Sequence, residues 1–164
     1  MGKPIEQRRD ETPEERADRN YDELLQELRV AQTGVQILFA FLLTMPFQQR
    51  FTSTVSTDLR WIYIFTLIST AVATAFLIAP VSHHRILFRH GQKPHLVTQA
   101  DRLAKLGLVF LALAVLGSVH LVIAVVSGRD VATACTGALA LLFLITWLVQ
   151  PLRLRATHPD RPNE

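Results

Sequence analysis

Four long apolar runs alternate with polar stretches along the chain. They extend approximately over Val30–Phe47, Trp61–Ala79, Leu103–Val126 and Val131–Val149. Each run has roughly the 20 residues that a helix needs to cross a bilayer. Because backbone amides in hydrocarbon must be satisfied within their own segment, such runs form helices. The pattern predicts an all-α integral membrane protein with four transmembrane helices.

Local signals predict where these helices begin and end. Candidate N-terminal caps precede three of the spans, namely Asp58 for the second, Thr98 with Asp101 for the third, and Asp130 for the fourth. Pro80 and Pro151 are expected to end the second and fourth spans, because proline does not continue a helix readily. Only the letters SGRD separate the third and fourth spans, which predicts an antiparallel hairpin.

An amphipathic segment precedes the first span. The stretch Thr12-Pro13-Glu14-Glu15 combines a capping box with proline at the first helical position, and apolar residues then recur at helical spacing up to Leu28. The polar face is acidic, with Asp18, Asp22, Glu23 and Glu27. An anionic membrane surface repels such a face, so a protein partner or a second subunit is favoured over lipid as its neighbour.

These features divide the chain into a cytoplasmic acidic amphipathic segment (residues 1–29), a four-helix transmembrane domain (30–150) and a basic cytoplasmic tail (151–164). Lysine and arginine accumulate between the second and third spans and in the tail, whereas the opposite side carries only Arg50, Arg60 and Arg129. Basic residues near span ends favour the cytoplasmic side. We therefore expect a multi-pass protein of the cell (inner) membrane with both termini in the cytoplasm.

Composition and charge support the membrane class. Of 164 residues, 49% are hydrophobic and 19% are charged, which is too apolar for an ordinary soluble protein. The sequence pI near 9.5 does not indicate nucleic-acid binding, because the excess basic residues lie in loops beside apolar runs. A single cysteine, Cys135, excludes an internal disulfide. The first thirty residues contain no apolar core of a cleavable signal peptide.

A polar stripe enters the first span. At about 100° per residue, Arg29, Gln32, Thr33 and Gln36 fall within a sector of roughly 100°. Two interpretations remain open. The amides form hydrogen bonds between helices as packing contacts, or the stripe lines a cytoplasmic vestibule for an ion or a small solute. In either case, Gln36 should face protein or water rather than lipid.

Small residues four apart mark two further helices. Ser69 and Ala73 in the second span, and Thr133 and Gly137 in the fourth, allow close approach of helix backbones. Together these faces exceed what one internal contact per helix requires. We therefore predict that they pack helices and that the protein is a homo-oligomer.

Histidines invite a metal interpretation that the pattern does not favour. The loop after the second span contains His83, His84, His90 and His95, but adjacent helical residues point about 100° apart and no Cys or Asp pattern completes a known site. His120 in the third span is expected to be interfacial or hydrogen-bonded rather than part of a proton relay. No nucleophile with a base is recognisable. We expect no metal, cofactor or enzymatic activity.

Three blocks carry a family resemblance: YDELLQELRVAQTGVQILFAFLLTMPF, LIAPVSHHRILFR and ADRLAKLGL. They resemble a family of small actinobacterial four-span membrane proteins of unknown function, sometimes labelled sodium:proton antiporters, over roughly Tyr21 to Pro151. An antiporter requires a titratable carboxylate in mid-membrane, and no Asp or Glu lies within the four apolar runs. The sequence therefore favours a channel-like permease for a small cation or proton, with a membrane scaffold that docks a partner through its N-terminal helix as the alternative.

Overall fold

The computed structural model describes residues 13–48, 55–87 and 93–157, and almost all of these residues are helical. The helices are α1 (Pro13–Thr44), α2 (Thr57–Leu87), α3 (Lys93–Ser127), α4 (Arg129–Leu144) and α5 (Gln150–Thr157). A 3₁₀ turn, Met45–Phe47, follows α1, and a π-helical segment, Ile145–Val149, joins α4 to α5. No strand occurs in the described ranges. The predicted all-α class is confirmed.

Four helical segments are long and apolar enough to cross a membrane. They are Tyr21–Phe47, Thr57–Ser82, Gln99–Ser127 and Arg129–Arg153. Each contains one of the four predicted apolar runs. The number and order of the predicted spans are therefore confirmed, and these helices fit a multi-pass membrane protein in contact with a lipid bilayer.

The acidic segment and the first span form one helix. α1 continues from Pro13 to Thr44 without a break at the predicted domain boundary between residues 29 and 30. Tyr21 and Leu28 of the predicted apolar face are buried, whereas Asp22 and Glu27 are exposed. The amphipathic pattern thus marks the first turns of a longer helix.

The two prolines do not end their helices, so that prediction was wrong. α2 passes through Pro80 and continues to Leu87, and Pro151 lies inside α5. Proline removes one backbone donor and its ring crowds the carbonyl four residues earlier. Ahead of Pro151, the chain widens into the π-helical segment, in which the Gln150 N–H donates to the carbonyl of Ile145. The wider turn gives the ring room.

Two predicted helix starts are also corrected. α3 begins at Lys93, so Thr98 lies within the helix rather than at its cap. α4 begins after Gly128, which has a φ of 90° and provides no side-chain cap. Asp130 instead lies in the first turn of α4, where a negative charge interacts favourably with the helix dipole. Glycine adopts a positive φ readily because it has no Cβ, so Gly128 allows the chain to change direction between α3 and α4.

Buried side chains follow a repeat of alternating four and three residues. On α2 the buried positions at this spacing are Leu59, Tyr63, Thr66, Thr70, Ala73, Leu77 and Pro80. On α1 the buried residues recur every seven positions, at Tyr21, Leu28, Val35 and Leu42. A spacing of 3.5 residues keeps one seam of a helix against its neighbours along its length.

The described residues form two compact units, of which the first comprises the residues up to Phe47 together with Leu67–Leu111. Its core consists of Leu28, Val35, Ala73, Leu77 and Ala104. Phe76 and Phe110 stack beside this core with ring centroids 5.9 Å apart. The amphipathic face of α1 is therefore buried against its own chain.

The second unit comprises Gln48–Thr66 and the residues from Ala112 onward. Here Gly128 alone separates α3 from α4. His120 and Thr136, each eight residues from that glycine, form a hydrogen bond of 3.3 Å. This pairing confirms the antiparallel hairpin predicted from the short link.

Candidate functional site

The N-terminal part of α1 is hydrogen-bonded to the part of α2 that contains Pro80. The Tyr21 hydroxyl donates a hydrogen bond of 2.6 Å to the carbonyl oxygen of Pro80. Both residues are buried. This bond joins positions 59 residues apart in the sequence and holds the amphipathic portion of α1 against the end of the second span.

One member of the predicted polar stripe makes a second bond to the same region. The Gln32 Nε2 donates to the carbonyl oxygen of Leu77 at 2.7 Å. Leu77 lies three residues before Pro80, in the turn that the proline disrupts. Transmembrane helices tolerate proline where neighbouring helices supply donors to the weakened backbone. The carbonyl that Pro80 leaves without a helical donor is that of Phe76, and Gln32 bonds to the next carbonyl along the chain. A bond between helices is the packing role that the sequence left open for this amide.

The other three stripe residues point away from the chain. Arg29, Thr33 and Gln36 are exposed. The Thr33 hydroxyl donates to the Arg29 carbonyl within α1 at 3.0 Å, which is the usual way for a helical threonine to satisfy its donor in a membrane. Gln36 makes no side-chain hydrogen bond to any residue in the described part of the chain. Gln32 is therefore bonded to α2, whereas the other three residues of the stripe are exposed on α1.

The two predicted packing faces also differ from each other. Ser69 and Ala73 are buried, with 2% and 0% of their surface exposed. Thr133 and Gly137 are exposed, and a Cβ built on Gly137 would meet nothing within 4 Å. Within α4, Ala132 is the buried residue. The face of α4 is therefore open, while that of α2 is occupied.

Two glycines of α3 make close contacts that the sequence analysis missed. A Cβ on Gly107 would lie 2.8 Å from the Leu77 side chain, and a Cβ on Gly117 would lie 3.1 Å from the Thr66 Cβ and overlap its hydroxyl oxygen. A side chain at either position would force the Leu77 or Thr66 side chain to move. The spacing of small residues along α3 could have found Gly107, because Ala100, Ala104, Gly107 and Ala114 follow a seven-residue repeat, but this repeat does not include Gly117.

Polar contacts link α2, α3 and α4 within the second unit. Arg129 donates to the Ser56 hydroxyl at 2.9 Å and pairs with the Asp58 carboxylate at 2.9 Å. The Asp58 side chain, expected as a helix cap, serves as an ion-pair partner between the starts of α2 and α4. His120 is half-buried and bonded to Thr136, in agreement with the hydrogen-bonded interpretation.

The histidine-rich loop is not tested. The side chains of His83, His84, His90 and His95 lie outside the described residues, as do those of Arg85, Arg89 and Lys93. The expectation that these histidines hold no metal therefore stays a prediction.

A family profile matches residues 10–151 of this chain. Its description reads "Family of unknown function (DUF6328)". The chain belongs to this family. A search of curated proteins and a search of solved structures each found no match. Four helices long and apolar enough to cross a membrane, together with a family of unknown function, agree with the resemblance to a four-span family of unknown function.

Proposed function

We propose that this member of the DUF6328 family is a permease for a small cation or a proton that acts as a homo-oligomer. The observation that supports the proposal is the exposed polar stripe of Arg29, Thr33 and Gln36 on a helix that can cross a membrane. Gln36 lies about 9 Å beyond Val30 along α1. An amide without a partner at this depth costs on the order of 1 kcal/mol or more in lipid, so it faces water or protein.

The path in this proposal is channel-like. Proton exchange at mid-membrane uses a carboxylate, and the apolar runs of this sequence contain neither Asp nor Glu. Hydroxyl and amide groups are instead available where the stripe enters the span. Gln32 is not among them because its amide is bonded to Leu77. In this proposal, both termini are cytoplasmic. Arg29, Thr33 and Gln36 line the cytoplasmic end of the path, which is called the inner mouth here.

Flux through liposomes containing the purified protein tests the proposal. We expect proton, Na⁺ or K⁺ flux above that of empty vesicles. Gln36→Leu should reduce it severalfold because an apolar constriction expels water. Ile37→Leu is the matched control, since it alters an exposed apolar neighbour. Vesicles that stay tight to all three cations would overturn the permease, and flux of chloride alone would overturn its cation selectivity.

A second candidate is a membrane scaffold that binds a partner through the first turns of α1. Asp22 and Glu27 are exposed there, on a helix whose apolar side is already buried. A basic protein surface complements such a face. Charge reversal by Asp22→Lys with Glu27→Lys should abolish capture of a cytoplasmic partner in a pull-down, while liposomes containing the unmodified protein stay tight. Neither proposal involves covalent chemistry, so we propose that the protein is not an enzyme.

A further inference from the structure

We propose that the polar stripe of α1 is covered by α1 of a second copy of the chain, so that the inner mouth of the path lies between two subunits. The location of the path rests on the proposed permease function. The pairing of the helices rests on the geometry of α1, so the path and the pairing can fail independently of each other.

The stripe continues as a seam well beyond its polar residues. Exposed positions recur on α1 at alternating intervals of three and four residues: Gln26, Arg29, Thr33, Gln36, Ala40 and Leu43. The seam is about 25 Å long at 1.5 Å per residue. This is the spacing by which one helix packs along another. α1 already uses the same spacing on its buried side, where Leu28, Val35 and Leu42 lie seven residues apart.

An adjacent face of α1 shows what lipid exposure looks like on this helix. Val30, Ile37 and Phe41 are 76%, 69% and 55% exposed and are all apolar. They lie about 100° around the helix from the stripe, at comparable depths. Lipid suits this apolar face. The stripe carries an arginine, a threonine and a glutamine at those same depths, so a different neighbour is required there.

A second copy is the neighbour that the chemistry fits. The Gln36 amide carries two donors and an acceptor, and it has no partner within the described chain. A two-fold axis parallel to α1 brings the same residue of the other copy opposite, which offers a matching acceptor and donors. Thr33 and Ala40, one turn to each side, are small enough to leave space beside the two amides. Gln32 shows that this helix already uses an amide for bonding between helices.

Charge on the seam agrees with this arrangement. Arg29 lies two turns toward the N-terminus from Gln36, at the cytoplasmic end of the span. Two copies would bring two guanidinium groups together, which alone is unfavourable. Asp22 is exposed one seven-residue repeat earlier on the same face, about 10 Å along the helix, so its negative charge partly offsets this repulsion. In this pairing, the charged residues lie toward the N-terminal end of the seam, and the neutral Gln36 amides lie further into the span.

Disulfide trapping in native membranes tests the pairing. In a Cys135→Ser background, single cysteines replace Thr33, Gln36 or Ala40 on the seam, and Ile37 or Phe41 on the apolar face. With a mild oxidant, we expect covalent dimers at the three seam positions at least fivefold above those at the two controls. Equal trapping on both faces, or none at the seam, would overturn the proposal. So would strong dimers at Gly137→Cys of α4 with none at Gln36→Cys.

A second measurement separates pairing from transport. Gln36→Leu should lower the dimer fraction of purified protein about threefold in dimerisation constant, and Gln36→Asn should largely restore it. An unchanged constant in Gln36→Leu would contradict the pairing of the amides. If seam dimers are trapped but the vesicles show no cation flux, the interface is supported and the permease is contradicted. If the vesicles show flux but no seam dimers are trapped, the permease is supported and the interface is contradicted.

Discussion

α2 and α4 carry the same packing signature but have opposite surroundings. Ser69 and Ala73 on α2 are four residues apart and buried, whereas Thr133 and Gly137 on α4 have the same spacing and are exposed. The difference arises from what each helix meets. α2 packs against α3 at glycine positions, as Gly117 and Thr66 show in the second unit, while α4 buries only Ala132 along its described length.

Small residues therefore indicate that a helix can be approached closely, but not which chain approaches it. Ser69 and Ala73 are already covered by their own chain and are not available for self-association. The homo-oligomer expected from both faces can form only through surfaces that stay open. Two such surfaces are the face of α4 with Gly137 and the polar stripe of α1 with Gln36.

The largest effect is expected from filling an occupied glycine site. Gly117→Leu places a side chain where the Thr66 side chain already lies, so α2 and α3 must separate. Overpacking of this kind costs roughly 1–3 kcal/mol of the free energy of unfolding. An unfolding titration in mixed micelles measures it.

Gly137→Leu is the matched control. A Cβ added at this position would meet no atom within 4 Å, so we expect the free energy of unfolding to change by no more than about 0.5 kcal/mol. If both variants destabilise the monomer equally, the contrast between the occupied and the open helix is wrong. A change confined to the oligomer population in Gly137→Leu would instead assign the open face of α4 to an interface.

The next effect separates two amides one turn apart. Gln32→Leu removes the donor to the Leu77 carbonyl beside Pro80 and should lower the free energy of unfolding by about 0.6–1.7 kcal/mol. Gln36→Leu should leave the stability of the monomer within about 0.5 kcal/mol, because the amide has no partner in the described chain. The same unfolding titration compares them under conditions that keep both variants monomeric. The reverse order would show that Gln36 carries the packing role.

Sequence patterns predict the spans well because hydrocarbon imposes a length and an apolar composition on every crossing helix. They fail at Pro80 for a tertiary reason. A local rule ends the helix there, but α2 continues, and its Leu77 and Pro80 carbonyls accept hydrogen bonds from Gln32 and Tyr21, 45 and 59 positions away. Likewise, the stripe was visible as one polar sector, whereas its division into a bonded Gln32 and an exposed Gln36 depends on where α2 lies.

A smaller effect is expected at Tyr21. Tyr21→Phe keeps the ring in its buried position but removes the hydroxyl that donates to the Pro80 carbonyl. The loss of one hydrogen bond costs about 0.5–1.5 kcal/mol, at the lower end here because the ring stays packed. Faster amide exchange in the first turns of α1, with the remainder of α1 unchanged, would be the direct sign. Tyr21→Leu is the comparison, since it also removes packing and should loosen these turns further.

Unchanged exchange in Tyr21→Phe would show that apolar contacts alone hold the amphipathic part of α1. In that case, the burial of Leu28 would be sufficient to fasten this segment to its own chain.

The smallest effect is expected where α2 and α4 both begin. Arg129 pairs with Asp58 and donates to Ser56, but the two charged side chains are 57% and 70% exposed. Exposed ion pairs contribute about 0–1 kcal/mol and weaken as salt screens them. Arg129→Gln should therefore lower the free energy of unfolding by at most that amount at low salt, and the difference from the unmodified protein should vanish near 1 M salt.

Arg102→Gln, which removes an exposed arginine of α3, controls for the change in net charge. A loss in Arg129→Gln that is large and independent of salt would mean that the bond to Ser56, rather than the ion pair, orients the start of α4. This hydrogen bond would then be the main contact that holds α4, since Ala132 is its only buried residue over the described length.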